Sequence, residues 1–356
     1  MSSKPPPTPV PLVRTAAGGF LMGLANLVPG ISGGTMILAV GLYDRFIGAV
    51  AEVTRLRPSA PAMRFLAVLA LGLATALLAG SGVAVALVGE HRWIMYSLFI
   101  GMTLGGAPLL VRQIRPLSIG AGVAVAAGIA VMVAFAAGLG GAELDPSALV
   151  LVIAGAAAAA SMILPGISGS YVLLILGLYD LVIGSLSAGA LREDFAGSLR
   201  VIAPVVLGAG LGIGVLSNLL KVLLGRFSRA SHGVLLGLLL GSVIGLWPFQ
   251  EPVHADMASK PVRKATIMAL VGEPGPAVRA KHGAEFDDAR LAALAKKWEG
   301  HTPAQLKEAG EELRRFAPSA KQVASALALL VLGIGITRLI GRGEGRSEAA
   351  ASGRGD

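Results

Sequence analysis

The sequence predicts an all-α polytopic membrane protein built from two inverted-topology repeats. Each repeat is a helical hairpin, re-entrant or else crossing twice, followed by three transmembrane helices. Three observations carry this reading. The composition is 54% hydrophobic and only 14% charged, with a mean hydropathy of +0.74. Seven long runs are almost free of charge. The chain also repeats itself at a fixed offset of 136 residues.

The apolar runs come first in that argument. Phe65–Gly89, Trp93–Val111, Leu117–Ala142, Ala148–Leu178, Val201–Leu220, Gly233–Phe249 and Val323–Thr337 carry almost no charge. At about 1.5 Å of rise per residue, most are long enough to cross a hydrocarbon core of about 30 Å. The 49 glycines and the low aromatic share of 5% make the apolar excess one of small and aliphatic residues. The absence of cysteine from the sequence excludes thiolate metal sites, iron–sulfur clusters and cysteine nucleophiles.

Residues 1–13 read as a disordered tail. Five prolines and no apolar core stand in the first eleven positions, which is no signal peptide. Residues 14–142 form membrane repeat 1, and 143–249 the first part of repeat 2. A polar extracytoplasmic insertion follows at 250–318, then the final transmembrane helix at 319–341 and a disordered cytoplasmic tail at 342–356. Within the insertion, Thr302-Pro303-Ala304-Gln305 is a capping-box helix start, so the segment reads as helical.

The duplication rests on PGISGGTMILAVGLYDRFIGAV at 29–50 against PGISGSYVLLILGLYDLVIGSL at 165–186, identical at 12 of 22 positions. The register then continues without a gap, pairing Arg64 with Arg200, Gly72 with Gly208 and Gly101 with Gly237. Around each Pro-Gly the pattern predicts two half-length helices, Arg14–Val28 with Ile31–Val50 and Leu149–Leu164 with Ile167–Leu186. Pro and Gly stop the first helix, and a Ser or Thr just beyond can cap the second. A hairpin plus three spans reverses direction, so the second copy is inverted relative to the first, as in many secondary transporters.

Charge tests that topology independently. With both termini inside, the inner segments hold Lys4, Arg14, Arg55, Arg57, Arg64, Arg112, Arg115, Lys221, Arg226, Arg229, Arg338, Arg342 and Arg346. The short outer loops, the insertion apart, hold only Arg92, Arg192 and Arg200, beside several carboxylates. Thirteen against three follows the positive-inside rule. Orientation and anionic membrane lipid therefore account for the net charge of +9, and nucleic acid is not needed.

The chemistry-bearing candidates are the two Pro-Gly-Ile-Ser-Gly elements. A half-helix starting inside the membrane presents amides that need partners, and its dipole favours an anion such as phosphate. The first copy offers Ser32, Gly33, Gly34 and Thr35; the second offers Ser168, Gly169, Ser170 and Tyr171. Facing each other, they would form one central pocket. The plainer alternative is a pair of kinks packed for close helix contact. Asn26 is either a helix–helix hydrogen bond or a headgroup contact, its counterpart in the second copy being Met162. Arg45, opposite Leu181, either neutralises a phosphate or snorkels at a helix end. Asp44 and Asp180 are the proton-coupling candidates, with solvent exposure at a helix end the competing reading. Glu90 and His91 fall in an outer loop. The stripes Gly19/Gly23, Gly101/Gly105 and Gly237/Gly241/Gly245 indicate close helix packing. No metal spacing and no Walker loop is present in the sequence.

Gly23-Leu-Ala-Asn-Leu-Val-Pro29-Gly-Ile-Ser-Gly-Gly-Thr35 with Gly41-Leu-Tyr-Asp-Arg45 resembles the first signature of the undecaprenyl-phosphate translocases. Ser161-Met-Ile-Leu-Pro165-Gly-Ile-Ser-Gly-Ser170 with Gly177-Leu-Tyr-Asp180 resembles the second. The resemblance covers most of 14–249 and the final span. It implies a polyprenyl-phosphate flippase of the bacterial cytoplasmic membrane, returning the lipid carrier to the inner leaflet for cell-envelope and peptidoglycan synthesis. No cofactor is implied, and a proton or sodium gradient is the candidate energy source. The family carries Asp at the place of Asn26 and Glu at that of Asp44, departures that weaken a proton-coupling role for position 26. The insertion at 250–318 is also larger than is usual.

Three rivals stand beside this reading. A transporter of a small soluble anion would need a closed hydrophilic pocket rather than a groove open to lipid. A membrane undecaprenyl-pyrophosphate phosphatase would need an Arg after the motif serine, where Gly33 and Gly169 stand, and a Glu-x-x-x-Glu helix that is missing. A structural or partner-binding membrane protein would need no pocket at all.

Overall fold

The computed structural model describes residues 11–28, 31–136, 144–186, 188–283 and 286–341. The expected tail at 342–356, most of that at 1–13, the pair Pro29-Gly30 and the end of the Leu117–Ala142 run lie outside the described residues. The first repeat comprises α1 (Leu12–Leu27), α2 (Gly33–Ala39), α3 (Tyr43–Thr54), α4 (Ala60–Glu90), α5 (Arg92–Gln113) and α6 (Ile119–Ala136). The second comprises α7 (Ala148–Ile163), α8 (Gly169–Ile175), α9 (Tyr179–Ser185), α10 (Ala188–Glu193), α11 (Phe195–Arg226) and α12 (Ser228–Gly245). Then come β1 (Gln250–Pro252), α13 (Ala255–Ala258), α14 (Lys260–Leu270), α15 (Gly275–His282), α16 (Asp288–Lys297), α17 (Pro303–Glu311), β2 (Leu313–Arg315) and α18 (Ala320–Gly341). Five stretches are long and apolar enough to cross a membrane: Ala60–Ala79 in α4, and helices α5, α11, α12 and α18. Ile119–Phe135 in α6 and all of α7 are shorter apolar helices.

The hairpins differ from the expected pair of half-helices. Each second half is itself broken, into α2 and α3 or α8 and α9. The reason is a Schellman turn. Gly41, at φ 73°, donates its N–H to Leu38 O, and Leu42 donates to Ile37 O. Gly177, at φ 70°, and Leu178 repeat both bonds to Leu174 O and Leu173 O. Only glycine adopts that backbone without strain. The shared Gly-Leu-Tyr-Asp sequence is thus a helix stop followed by a helix start.

The repeated sequence packs in a repeated way. A Cβ on Gly19 would collide with Leu69 O, and one on Gly72 with Ala16 O, which holds α1 against α4. The matched Gly155 and Gly208 meet Val205 O and Val152 O, holding α7 against α11. Farther on, Gly101 lies on Leu330 O and Gly333 on Leu98 O, joining α5 to α18. Gly237 lies on Val125 O and Gly128 on Val234 O, joining α12 to α6. Each repeat therefore lends its last helix to the other. Small residues at these crossings let backbones approach where lipid gives no hydrophobic drive. Gly245 is an exception to its expected stripe, with nothing within 4 Å of its missing Cβ.

The chain divides into two compact units. The first, holding the helices just described, contains 1–85, 96–247 and 326–356. The second contains 86–95 and 248–325, with its own core of Met257, Val262, Ala265, Val278, Phe286, Leu291, Trp298 and Leu306. Its Thr302–Gln305 capping box is formed in both directions. The described residues are mostly helical, as an all-α fold predicts, and this unit adds a short antiparallel pair, β1 with β2, Gln250 opposite Arg315. That ladder brings the two ends of the insertion together. Phe249 stacks on Trp93 at 6.5 Å and meets Phe316 edge-on at 5.9 Å.

Candidate functional site

The described part of the first motif, Ile31 onward, meets the second. Ser32 Oγ donates to Leu164 O at 3.3 Å, and Thr35 Oγ1 accepts from the Gly166 N–H at 2.8 Å. These bonds span more than 130 positions of sequence, linking the start of α2 to the end of α7. Gly34 makes the approach feasible, since a Cβ there would lie 2.8 Å from Met162 O and 3.0 Å from Ile163 O. Ser32 and Thr35 are buried, only 4% and 2% exposed. Their polar groups hold the two copies together.

The caps are not the expected ones. Ser32 and Ser168 occupy the N-cap positions of α2 and α8, yet neither side chain caps its own helix. Asn26, near the end of α1, instead accepts from the Gly33 N–H through Oδ1 at 3.2 Å. Asn26 thus links the end of α1 to the first turn of α2. The second copy has Met162 there, packed against Gly169, and a thioether is a poor acceptor for that amide.

The second motif is correspondingly more open. Ser168 is half-buried, Ser170 is exposed, and their hydroxyls lie 2.8 Å apart. Tyr171, also half-buried, donates its hydroxyl to Phe135 O at 3.0 Å, anchoring α8 on α6. Gly169 is buried against Ala158 O. The two copies are alike in backbone and unlike in how their polar atoms are used.

The charged candidates lie apart from this junction. Arg45 places its guanidinium over the Phe65 ring, 5.2 Å from the centroid. Asp44 faces His232 Nε2 at 3.7 Å. Asp180 is exposed at the start of α9. His91 is exposed between α4 and α5, and Glu90 closes α4.

Two residues were overlooked as functional candidates. Arg14 is buried, and its Nη2 donates to Val40 O at 2.6 Å, a cation on the carbonyl end of α2. His232, also buried, pairs with Asp44. The sequence signal was asymmetry, since the matched residues in the other copy are Val150 and Tyr96. Among the described residues no group of three His, Asp or Glu is placed to hold a metal ion. The junction brings hydroxyls and backbone amides of both copies together.

The family model described as undecaprenyl phosphate translocase-like matches residues 22–262, which include both motifs. A polyprenyl-phosphate transporter of Vibrio cholerae is 31% identical over 260 residues, covering 67% of this chain and 79% of that protein. A polyprenyl-phosphate transporter of Staphylococcus aureus is 29% identical over 241 residues, covering 65% and 84% respectively. No solved structure matches the chain. A family match over more than half the chain, centred on the duplicated hairpins, identifies the chain as a member of the undecaprenyl phosphate translocase-like family.

Proposed function

We propose that this protein carries a polyprenyl phosphate, undecaprenyl phosphate in the cell, across the bacterial cytoplasmic membrane and returns it to the inner leaflet for cell-envelope synthesis. The observation that carries the reading is the direct junction of the two repeated motifs, in a chain whose relatives are named polyprenyl-phosphate transporters. The phosphate headgroup sits at that junction. Ser168, Gly169, Ser170 and Tyr171 face it, because the second copy keeps its hydroxyls exposed or half-buried and lacks the Asn cap. Asn26, Ser32, Gly33, Gly34 and Thr35 frame it from the first copy. Arg45, apart from the junction over the Phe65 ring, acts on the headgroup as a long-range cation. The apolar tail stays in lipid throughout.

Alternating access between inverted repeats supplies the movement. The reciprocal exchange of α6 and α18 between repeats is the arrangement a two-fold relation would produce. The orientation places both termini in the cytoplasm. It is supported by the charge count and by the grouping of 86–95 with 248–325, two segments that this orientation assigns to the outer side. A proton or sodium gradient drives net movement. No phosphoryl chemistry is assigned, since Gly33 and Gly169 stand where a phosphatase would need Arg.

Purified protein in liposomes carrying a fluorescent short-chain polyprenyl phosphate tests the reading. Exchange between leaflets, read by a membrane-impermeant quencher, should exceed that of protein-free liposomes under a proton or a sodium gradient. Exchange no faster under either gradient, with uptake of inorganic phosphate instead, would assign the protein to soluble anions.

A further inference from the structure

The contact between His232 and Asp44 is not used by the headgroup site, and it joins the two repeats. His232 lies one turn into α12 of the second repeat and is 5% exposed. Asp44 lies in the first turn of α3 of the first repeat, with its side chain 64% exposed. The imidazole Nδ1 is 2.7 Å from Ser228 O, its own helix carbonyl one turn back, and 3.3 Å from Ser228 Oγ. A carbonyl oxygen only accepts, so Nδ1 carries a proton. In the neutral ring Nε2 is then a bare lone pair. That lone pair points toward a carboxylate oxygen at 3.7 Å, two acceptors face to face. Attraction requires one more proton between them. When it arrives from water, Nε2–H forms and the pair becomes imidazolium and carboxylate. When it leaves, α12 and α3 lose their charged link.

Around the pair the packed elements bring cations and apolar surface, so Asp44 is the carboxylate that faces the imidazole. Helix α6, packed along α12, has no titratable residue between Ile119 and Ala136. Helix α11 brings Lys221 and Arg226 in its last turns, α3 brings Arg45 and Glu52 besides Asp44, and α12 itself carries Arg229. From α1, Arg14 reaches Val40, four residues before Asp44. Asp44 follows directly on the Schellman turn that ends α2, the helix whose start makes the Ser32 and Thr35 bonds. A change at the pair therefore acts one short helix away from the junction.

We propose that His232 and Asp44 form a proton-binding latch between the two repeats, closed when the imidazole is doubly protonated and released when it is not. This rests on the transport reading above and names the site through which pH acts on it. Both are positioning residues; neither is assigned to the headgroup. The test compares the pH profile of leaflet exchange, from pH 5.5 to 8.5 in about half-unit steps across the ordinary histidine range, for wild type, His232→Gln, Asp44→Asn and the conservative Asp44→Glu. The two neutral variants should flatten the profile, changing at most about twofold where wild type changes at least about fivefold, the wild-type change being about 1 kcal/mol by the usual tenfold constant. Asp44→Glu should restore the slope. Profiles of unchanged shape in both neutral variants would overturn the latch while leaving transport intact. Histidine nitrogen NMR reads the pair without any lipid, so it decides even where no protein transports. Between about pH 5.5 and 8.5 His232 should pass from two ring protons to one in wild type, and Asp44→Asn should shift that change. A His232 that keeps one protonation state across that range in wild type, or titrates identically in Asp44→Asn, would also overturn the latch.

Discussion

Asn26 illustrates how a side chain does a job that its neighbour was expected to do. Its carboxamide caps α2 from the preceding helix while Ser32, at the cap position, turns away to the other repeat. Asn26→Ala should therefore cost about 1 kcal/mol, the usual loss for a removed cap, while Asn26→Asp keeps the acceptor and most of the stability. Thermal unfolding in detergent measures both. Gly34→Ala is the sharper probe, because its methyl group would press on the Met162 and Ile163 carbonyls. Overpacking of that kind costs about 1–3 kcal/mol. The residue types of the junction were legible in the sequence, since the motif is duplicated. Their division of labour was not, because periodicity says nothing about which oxygen meets which amide across 130 residues. The side chain of Asp44, by contrast, is 64% exposed, as its place at a helix end predicts.

At the scale of elements, the Gly-Leu-Tyr-Asp sequence is the instructive case. A glycine within an apolar run is tolerated in a membrane helix, so nothing local distinguishes a kink from a stop. Its use as a stop emerges only from the positive φ at Gly41 and Gly177. Replacing either by Ala should lower stability by about 1 kcal/mol for the left-handed backbone, and the double variant should lose about the sum. Helix α16 offers a pH test outside the membrane spans. Burial pushes the Asp256 carboxyl up, but hydrogen bonds from Lys297 at 2.8 Å and Trp298 Nε1 at 3.0 Å outweigh it and hold the carboxyl below its usual range. A carboxyl lowered by folding stabilises above its unfolded value, about 3.9, and loses that contribution as pH falls through the folded value. Hydrogen exchange in Asp288–Lys297 should thus accelerate below about pH 4 in wild type. Asp256→Asn should exchange faster at pH 7 and respond less to acid. The capping box of α17 was readable from four residues; the β1–β2 ladder was not, since Gln-Glu-Pro and Leu-Arg-Arg carry no strand pattern.

For the molecule as a whole, duplication was the most informative feature of the sequence, because two copies of one chain segment pack by one set of rules. Helices α7 and α8 begin and end 136 positions after α1 and α2. The exchange of α6 and α18 could not be read, because partner choice among apolar helices depends on small residues spread along every span. The absence of cysteine from the sequence makes topology directly testable. With Arg57→Cys and Glu299→Cys, both exposed positions, an impermeant maleimide applied to spheroplasts should label the second and spare the first. Equal labelling of both would contradict the orientation.

The central claim is that the phosphate headgroup passes the junction of the two motifs on the side of the second copy. The most direct measurement is leaflet exchange of fluorescent polyprenyl phosphate by wild type, Ser168→Arg and Ser170→Arg in the same liposomes. Ser170 is exposed, so its replacement leaves packing undisturbed. Exchange in both variants should fall to the level of protein-free liposomes. Wild-type exchange in both, from protein of unaltered thermal stability, would contradict the account by sending the headgroup along another path.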